Sequence, residues 1–121
     1  MYNIYNDIAI ERNRQLAKWG DQNHPSVIRT HAYSDQCRQY GIPSERAAKL
    51  LCESAAKQGK VTWAHIALEE FAEALTASTE AKRKEELVQL AAVIVAWIDC
   101  IERKKAARLS RKLHKTPEVR P

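Results

Sequence analysis

The sequence predicts an all-α protein, an antiparallel helical bundle of about four to five helices. Three observations carry that expectation. There are only three Gly and four Pro in 121 residues, while the strong helix formers Ala, Leu, Glu, Lys and Arg are plentiful. Apolar residues recur at helical spacing in two long segments, Trp63 to Leu75 and Glu85 to Asp99. No stretch alternates apolar and polar residues as a half-exposed strand would. A chain of this length most simply forms one domain with a modest core.

The first helix is expected over residues 2–18. Ile4, Ile8, Leu16 and Trp19 follow a helical step with polar residues between them, and Gly20 stops the helix. Such a helix either lies on the surface or lines a cavity or a second subunit. Residues 19–43 show no dominant period and read as a long loop with a short helix around Ala32 to Tyr40. Ser44 is the expected N-cap of the next helix, with Glu45 in its first turn and an end near Gln58 and Gly59.

Thr62 is expected to cap the following helix. At 100° per residue, its apolar arc holds Trp63, Ala64, Ala67, Leu68, Phe71, Ala74 and Leu75. Glu70 and Glu73 lie at the edge of that arc, where an unpaired charge is costly. Thr76 to Lys84 reads as a polar connection. The last helix then opens with Glu85 and Glu86, which suit its dipole. From Leu87 to Ile101 only Gln89 and Asp99 are polar, so this helix is expected to be central and packed on several sides. In so short a chain, several sides imply a second subunit.

The net charge is +5, but residues 102–121 hold eight Lys/Arg and two Glu, which leaves the first 101 residues at about −1. The division expected is therefore a helical domain over 1–101 and a basic C-terminal extension over 102–121. The extension reads as a solvated tail, frayed from Lys115 on; the alternative is that its basic residues hold nucleic-acid phosphates non-specifically, since nothing in it resembles a base reader. Cys37, Cys52 and Cys100 form no CxxC pair, which argues against a disulfide framework or a zinc site and for a reducing compartment. No signal peptide is visible. The longest apolar run falls short of the roughly 18–20 residues of a membrane span. A cytoplasmic location and no membrane partner are expected.

Glu70 and Glu73 are three residues apart, as are Glu86 and Gln89, and residues three apart share a helix face. On antiparallel helices these four side chains can point oxygen atoms into one space. That donor set suits a hard divalent cation such as Mg²⁺, or Mn²⁺, bridging to phosphate oxygens. The chemistry it supports is phosphoryl or nucleotidyl transfer to water.

The segment from Trp63 through Glu69-Glu70-Phe-Ala-Glu73, followed by Glu85-Glu86-Leu-Val-Gln89, resembles the MazG-like all-α nucleoside triphosphate pyrophosphohydrolases and their Glu-x-x-Glu … Glu-x-x-Asp signature. Lys18-Trp19-Gly20-Asp21-Gln22-Asn23-His24-Pro25 is similar to a segment of small phage and bacterial MazG-like proteins. The resemblance covers residues 5–101. It implies a domain that assembles as a homodimer or dimer of dimers and hydrolyses (d)NTPs to (d)NMP and pyrophosphate with Mg²⁺. It assigns catalysis to Glu70, Glu73 and Glu86, and metal ligation to these three and Gln89. Gln89 stands where the signature has Asp and brings no charge, so a protein of the same fold that binds nucleotide without efficient turnover is the alternative. Asp99 lies on another face and cannot substitute, whereas Glu69 or Glu85 can assist from outside the ligand set. Lys18, Trp19, Gln22 and His24 are the candidate substrate contacts, with Arg12 and Arg14 as further candidate cations. Trp19 either stacks on a base or packs in the core, and His24 before Pro25 either meets substrate or shapes a turn.

Overall fold

A computed structural model describes residues 2–115 of the chain. Five helices follow in order: α1 (Ile4–Trp19), α2 (Asp35–Arg38), α3 (Glu45–Lys57), α4 (Trp63–Thr76) and α5 (Glu80–Lys115). No strand occurs among the described residues.

The helix starts follow the capping chemistry of the sequence. Asn3 Oδ1 accepts from the N–H groups of Tyr5 and Asn6, and Ser44 Oγ accepts from Ala47 N–H at 3.1 Å. At α4 the cap is reciprocal. Thr62 Oγ1 accepts from His65 N–H at 3.2 Å, and His65 Nδ1 accepts from Thr62 N–H at 3.0 Å. Gly20 ends α1 with φ at 66°, a conformation a Cβ would disfavour.

Within the single chain the centre belongs to α4. α4 packs against α5, α3 and α2, while α1 packs on α5. The core is small in number and in side-chain size. Cys37, Ala48, Ala72 and Leu75 are buried together, with Val27, Ile42 and Leu68 against them, and Cys37 Sγ lies 3.7 Å from the Ala72 carbonyl. Larger residues of α5, including Leu87, Val88, Ile94 and Ile101, stay exposed in the single chain. Within one chain α5 is therefore covered by α4 and partly by α1, and its outer apolar side has no neighbour among the described residues.

The α4–α5 connection is shorter than expected. It comprises only 77–79, because Thr79 Oγ1 accepts from Lys82 N–H and starts α5 at Glu80. Glu80, not Glu85 or Glu86, occupies the first turn, so the expected dipole role of that pair falls away. The turn is clasped by Arg83, whose side chain is 11% exposed. Its guanidinium donates to the carbonyls of Ala74 and Ala77, each at 3.0 Å, and pairs with Glu80. At the other end α5 runs without a break through the 101/102 boundary to Lys115. The frayed end expected from Lys115 on falls, from Thr116, outside the described residues.

α1 packs along α5, and after α1 the chain returns so that Ser26 Oγ donates to Glu80 Oε2 at 2.6 Å. α1 buries only Ile4 and keeps Ile8, Leu16 and Trp19 exposed.

Candidate functional site

The reciprocal cap at Thr62 sets the register of α4, and the Arg83 clasp fixes how α5 leaves the turn. Together they bring Glu70 and Glu73 of α4 against Glu86 of α5. One carboxylate oxygen from each lies within 4.8 Å of the others, and all three side chains are half-buried. Among the described residues no Lys or Arg pairs with any of them, since Arg83 is committed to carbonyls and to Glu80.

Three carboxylates this close cannot all carry full charge comfortably. Burial first, then contact with Glu86 and the charges of Glu70, Glu86 and Glu69, push the Glu73 carboxyl up from 4.5 to about 7. Burial, followed by the charges of Glu86 and Glu69, also raises Glu70. Two buried oxygens, Glu70 Oε2 and Glu86 Oε2, have no hydrogen-bond partner. Unpartnered buried carboxylate oxygens cost free energy unless something supplies positive charge or a donor. An oxygen-only, anionic, half-open donor set fits a hard divalent cation.

Gln89 lies one turn further along α5 and is exposed. Glu85 is exposed and pairs with Lys82, while Asp99 pairs with Arg103. The four candidate substrate contacts are exposed and lie in or just after the last turn of α1. Lys18 Nζ sits 4.9 Å from the Trp19 ring centroid, and Gln22 Nε2 is 3.2 Å from His24 Nε2. No hydrogen bond, ion pair or ring contact joins them to the three carboxylates among the described residues. The Ser26–Glu80 bond nevertheless holds their segment at the end of the hairpin where α5 begins. Arg12 bonds Gln15 and Arg14 bonds Glu11, both within α1.

Several structural features were not foreseen. Glu69 faces α3, where its contact helps raise the Cys52 thiol after burial itself. The Glu45 carboxylate accepts from Tyr33 Oη at 2.8 Å and lies 3.0 Å from the Thr76 hydroxyl, tying the long loop and α3 to the end of α4. A cleft of about 290 Å³ opens beside that end, lined by polar and cationic residues including Arg29, Thr30, His31, Ser78 and Arg83. The Lys/Arg-rich run 82–84 was the only sequence signal for any of this. It did not say which of the three side chains would turn inward.

No protein-family model matches the chain, and no curated protein or solved structure matches it.

Proposed function

We propose that the protein is a divalent-metal-dependent nucleoside triphosphate pyrophosphohydrolase of the MazG-like kind, acting in the cytoplasm on (d)NTPs to give (d)NMP and pyrophosphate. The observation that carries this reading is the meeting of Glu70, Glu73 and Glu86, with two buried carboxylate oxygens left without partners. The resemblance of residues 63–98 to the Glu-x-x-Glu … Glu-x-x-Asp signature supplies the reaction.

In this scheme Glu70, Glu73 and Glu86 would hold Mg²⁺ or Mn²⁺. When bound, the ion supplies the positive charge that draws a triphosphate to an otherwise anionic site and offsets charge on the leaving pyrophosphate. A carboxylate of the trio orients the water that attacks the α-phosphorus. The same carboxylate is placed to accept the proton that water gives up. The bond from the α-phosphorus to its bridging oxygen breaks, and pyrophosphate leaves. Lys18, Trp19, Gln22 and His24 would contact the nucleotide from the end of α1, and Arg29 adds cationic character at the same end of the hairpin. The exposed apolar side of α5 supports assembly as a homodimer.

A second reading, nucleotide binding without efficient turnover, is favoured by Gln89, which is neutral and exposed where the signature has a carboxylate. One experiment separates the two. Purified protein is given a panel of canonical and modified nucleoside triphosphates with and without Mg²⁺, and pyrophosphate release is followed beside calorimetric binding. Metal-dependent release that drops at least a hundredfold in Glu70→Ala is the expected result. Binding with no release selects the second reading. Equal rates for wild type and Glu70→Ala would remove the site assignment altogether.

A further inference from the structure

We infer that the C-terminal half of α5 is a nucleic-acid-binding arm that grips the phosphate backbone without reading sequence. The inference is independent of the hydrolase reading.

Residues 103–115 contain seven Lys/Arg and no acidic residue, and they continue α5 as regular helix. Helix geometry sorts those charges. Lys104, Arg108 and Arg111 follow i, i+4, i+7 spacing and share one face, with Lys105 and Lys112 beside them. All five are exposed. Arg103 points elsewhere and pairs with Asp99. Among the described residues no carboxylate pairs with Lys104, Lys105, Arg108 or Arg111. The result is a row of cations on a rod, running about 12 Å from Lys104 to Lys112 at 1.5 Å per residue.

That row does not serve the acidic site of its own chain. Lys104 lies eighteen residues along α5 from Glu86, which at 1.5 Å per residue is about 27 Å. A free nucleotide at the carboxylates is too short to span the gap. Like charges held in a line need a polyanion whose charges are also in a line, and duplex or single-stranded nucleic acid supplies one. The guanidinium forks of Arg108 and Arg111 match phosphate geometry, and backbone contacts of this kind carry no sequence information. An anionic membrane fits less well. The opposite side of the arm offers only Leu109, Leu113 and alanines, with no aromatic residue, whereas interfacial helices bury a broad apolar face.

The test uses the full chain and the variant Lys105→Gln/Arg108→Gln/Arg111→Gln. These side chains are exposed, and Gln keeps helix propensity. Binding to short labelled duplex DNA and to single-stranded RNA is followed by anisotropy between about 50 and 200 mM salt. Wild type should bind at low salt and weaken linearly in log–log form. The variant, with an unchanged helical circular-dichroism spectrum, should bind at least tenfold more weakly, with a salt slope shallower by roughly 2 to 3. The inference is overturned by no wild-type binding at low salt, or by equal affinity and slope in the variant. It is equally overturned if poly-glutamate or phosphatidylserine vesicles bind as tightly as nucleic acid with the same slope. A variant that changes oligomeric state in place of nucleic-acid affinity would assign the row to the subunit interface and also overturn it.

Discussion

At the scale of single residues, Glu73 has the most telling environment. Its carboxyl titrates near 4.5 in an unfolded chain and near 7 in the folded one. Between those values the folded state keeps a proton that the unfolded state has lost, so stability falls as pH rises through that window and returns as pH falls. The destabilisation is fully present above pH 7 and absent below 4.5, and the raised Glu70 acts in the same direction. Glu73→Gln removes the exchange. Without divalent cations, the variant should exceed wild type in stability at about pH 7.5 by on the order of 1 kcal/mol. That is less than the roughly 3 kcal/mol of the full pKa displacement, because solvent reaches part of the site. Near pH 5 the two should converge. Urea melts with chelator at both pH values check this, and parallel pH profiles for wild type and variant would contradict it. The three carboxylates were legible in the sequence because i, i+3 spacing fixes a face locally. That no Lys or Arg among the described residues pairs with them was not legible, because that depends on where Arg83 places its hydrogen bonds.

At the scale of elements, local chemistry and long-range packing separate cleanly. Asn3, Ser44 and Thr62 cap their helices because capping needs only a side-chain oxygen and the next three residues. Ser44 and Thr62 were accordingly readable. The start of α5 was placed too late because 79–84 looks like a polar linker, yet Thr79 caps it and Glu80–Arg83 and Lys82–Glu85 pair across one turn. What covers α5 was not readable for another reason. A long apolar run says that a helix is covered on many sides but not by which chain. Arg83 is where the two helices of the site are joined, so Arg83→Ala should cost about 2 kcal/mol or more by leaving the carbonyls of Ala74 and Ala77 unsatisfied. Lys82→Ala, which removes an exposed pair, should cost about 0.5 kcal/mol or less. Chemical denaturation at one fixed protein concentration compares them. Equal losses would show that Arg83 is not the clasp.

At the scale of the whole molecule, surface area sets the terms. A compact monomer of 13.8 kDa should expose about 6,600 Å² by the usual scaling with mass. This chain exposes 9588 Å². Part of the difference is the basic half of α5, which packs on nothing along most of its length. Large apolar side chains that a small core of Cys37, Ala48, Ala72 and Leu75 does not reach add to it. An open apolar groove of about 440 Å³ runs between α4 and α5, lined by Ala64, Ala67, Leu68, Phe71, Leu90 and Trp97, with Ile94 exposed on the same helix. A stable interface removes about 800 Å² from each partner, well within the excess. Pairing two α4–α5 hairpins through this face would make a four-helix core and leave the carboxylate trio of each chain on its own hairpin. Sedimentation equilibrium should therefore give twice 13.8 kDa for the wild type. Ile94→Glu, which puts a charge into that face without touching Glu70, Glu73 or Glu86, should shift the mass to that of one chain and lower the melting temperature. A monomeric wild type at the highest soluble concentration, or an Ile94→Glu variant that stays dimeric, would mean that some other surface or partner covers the apolar side of α5.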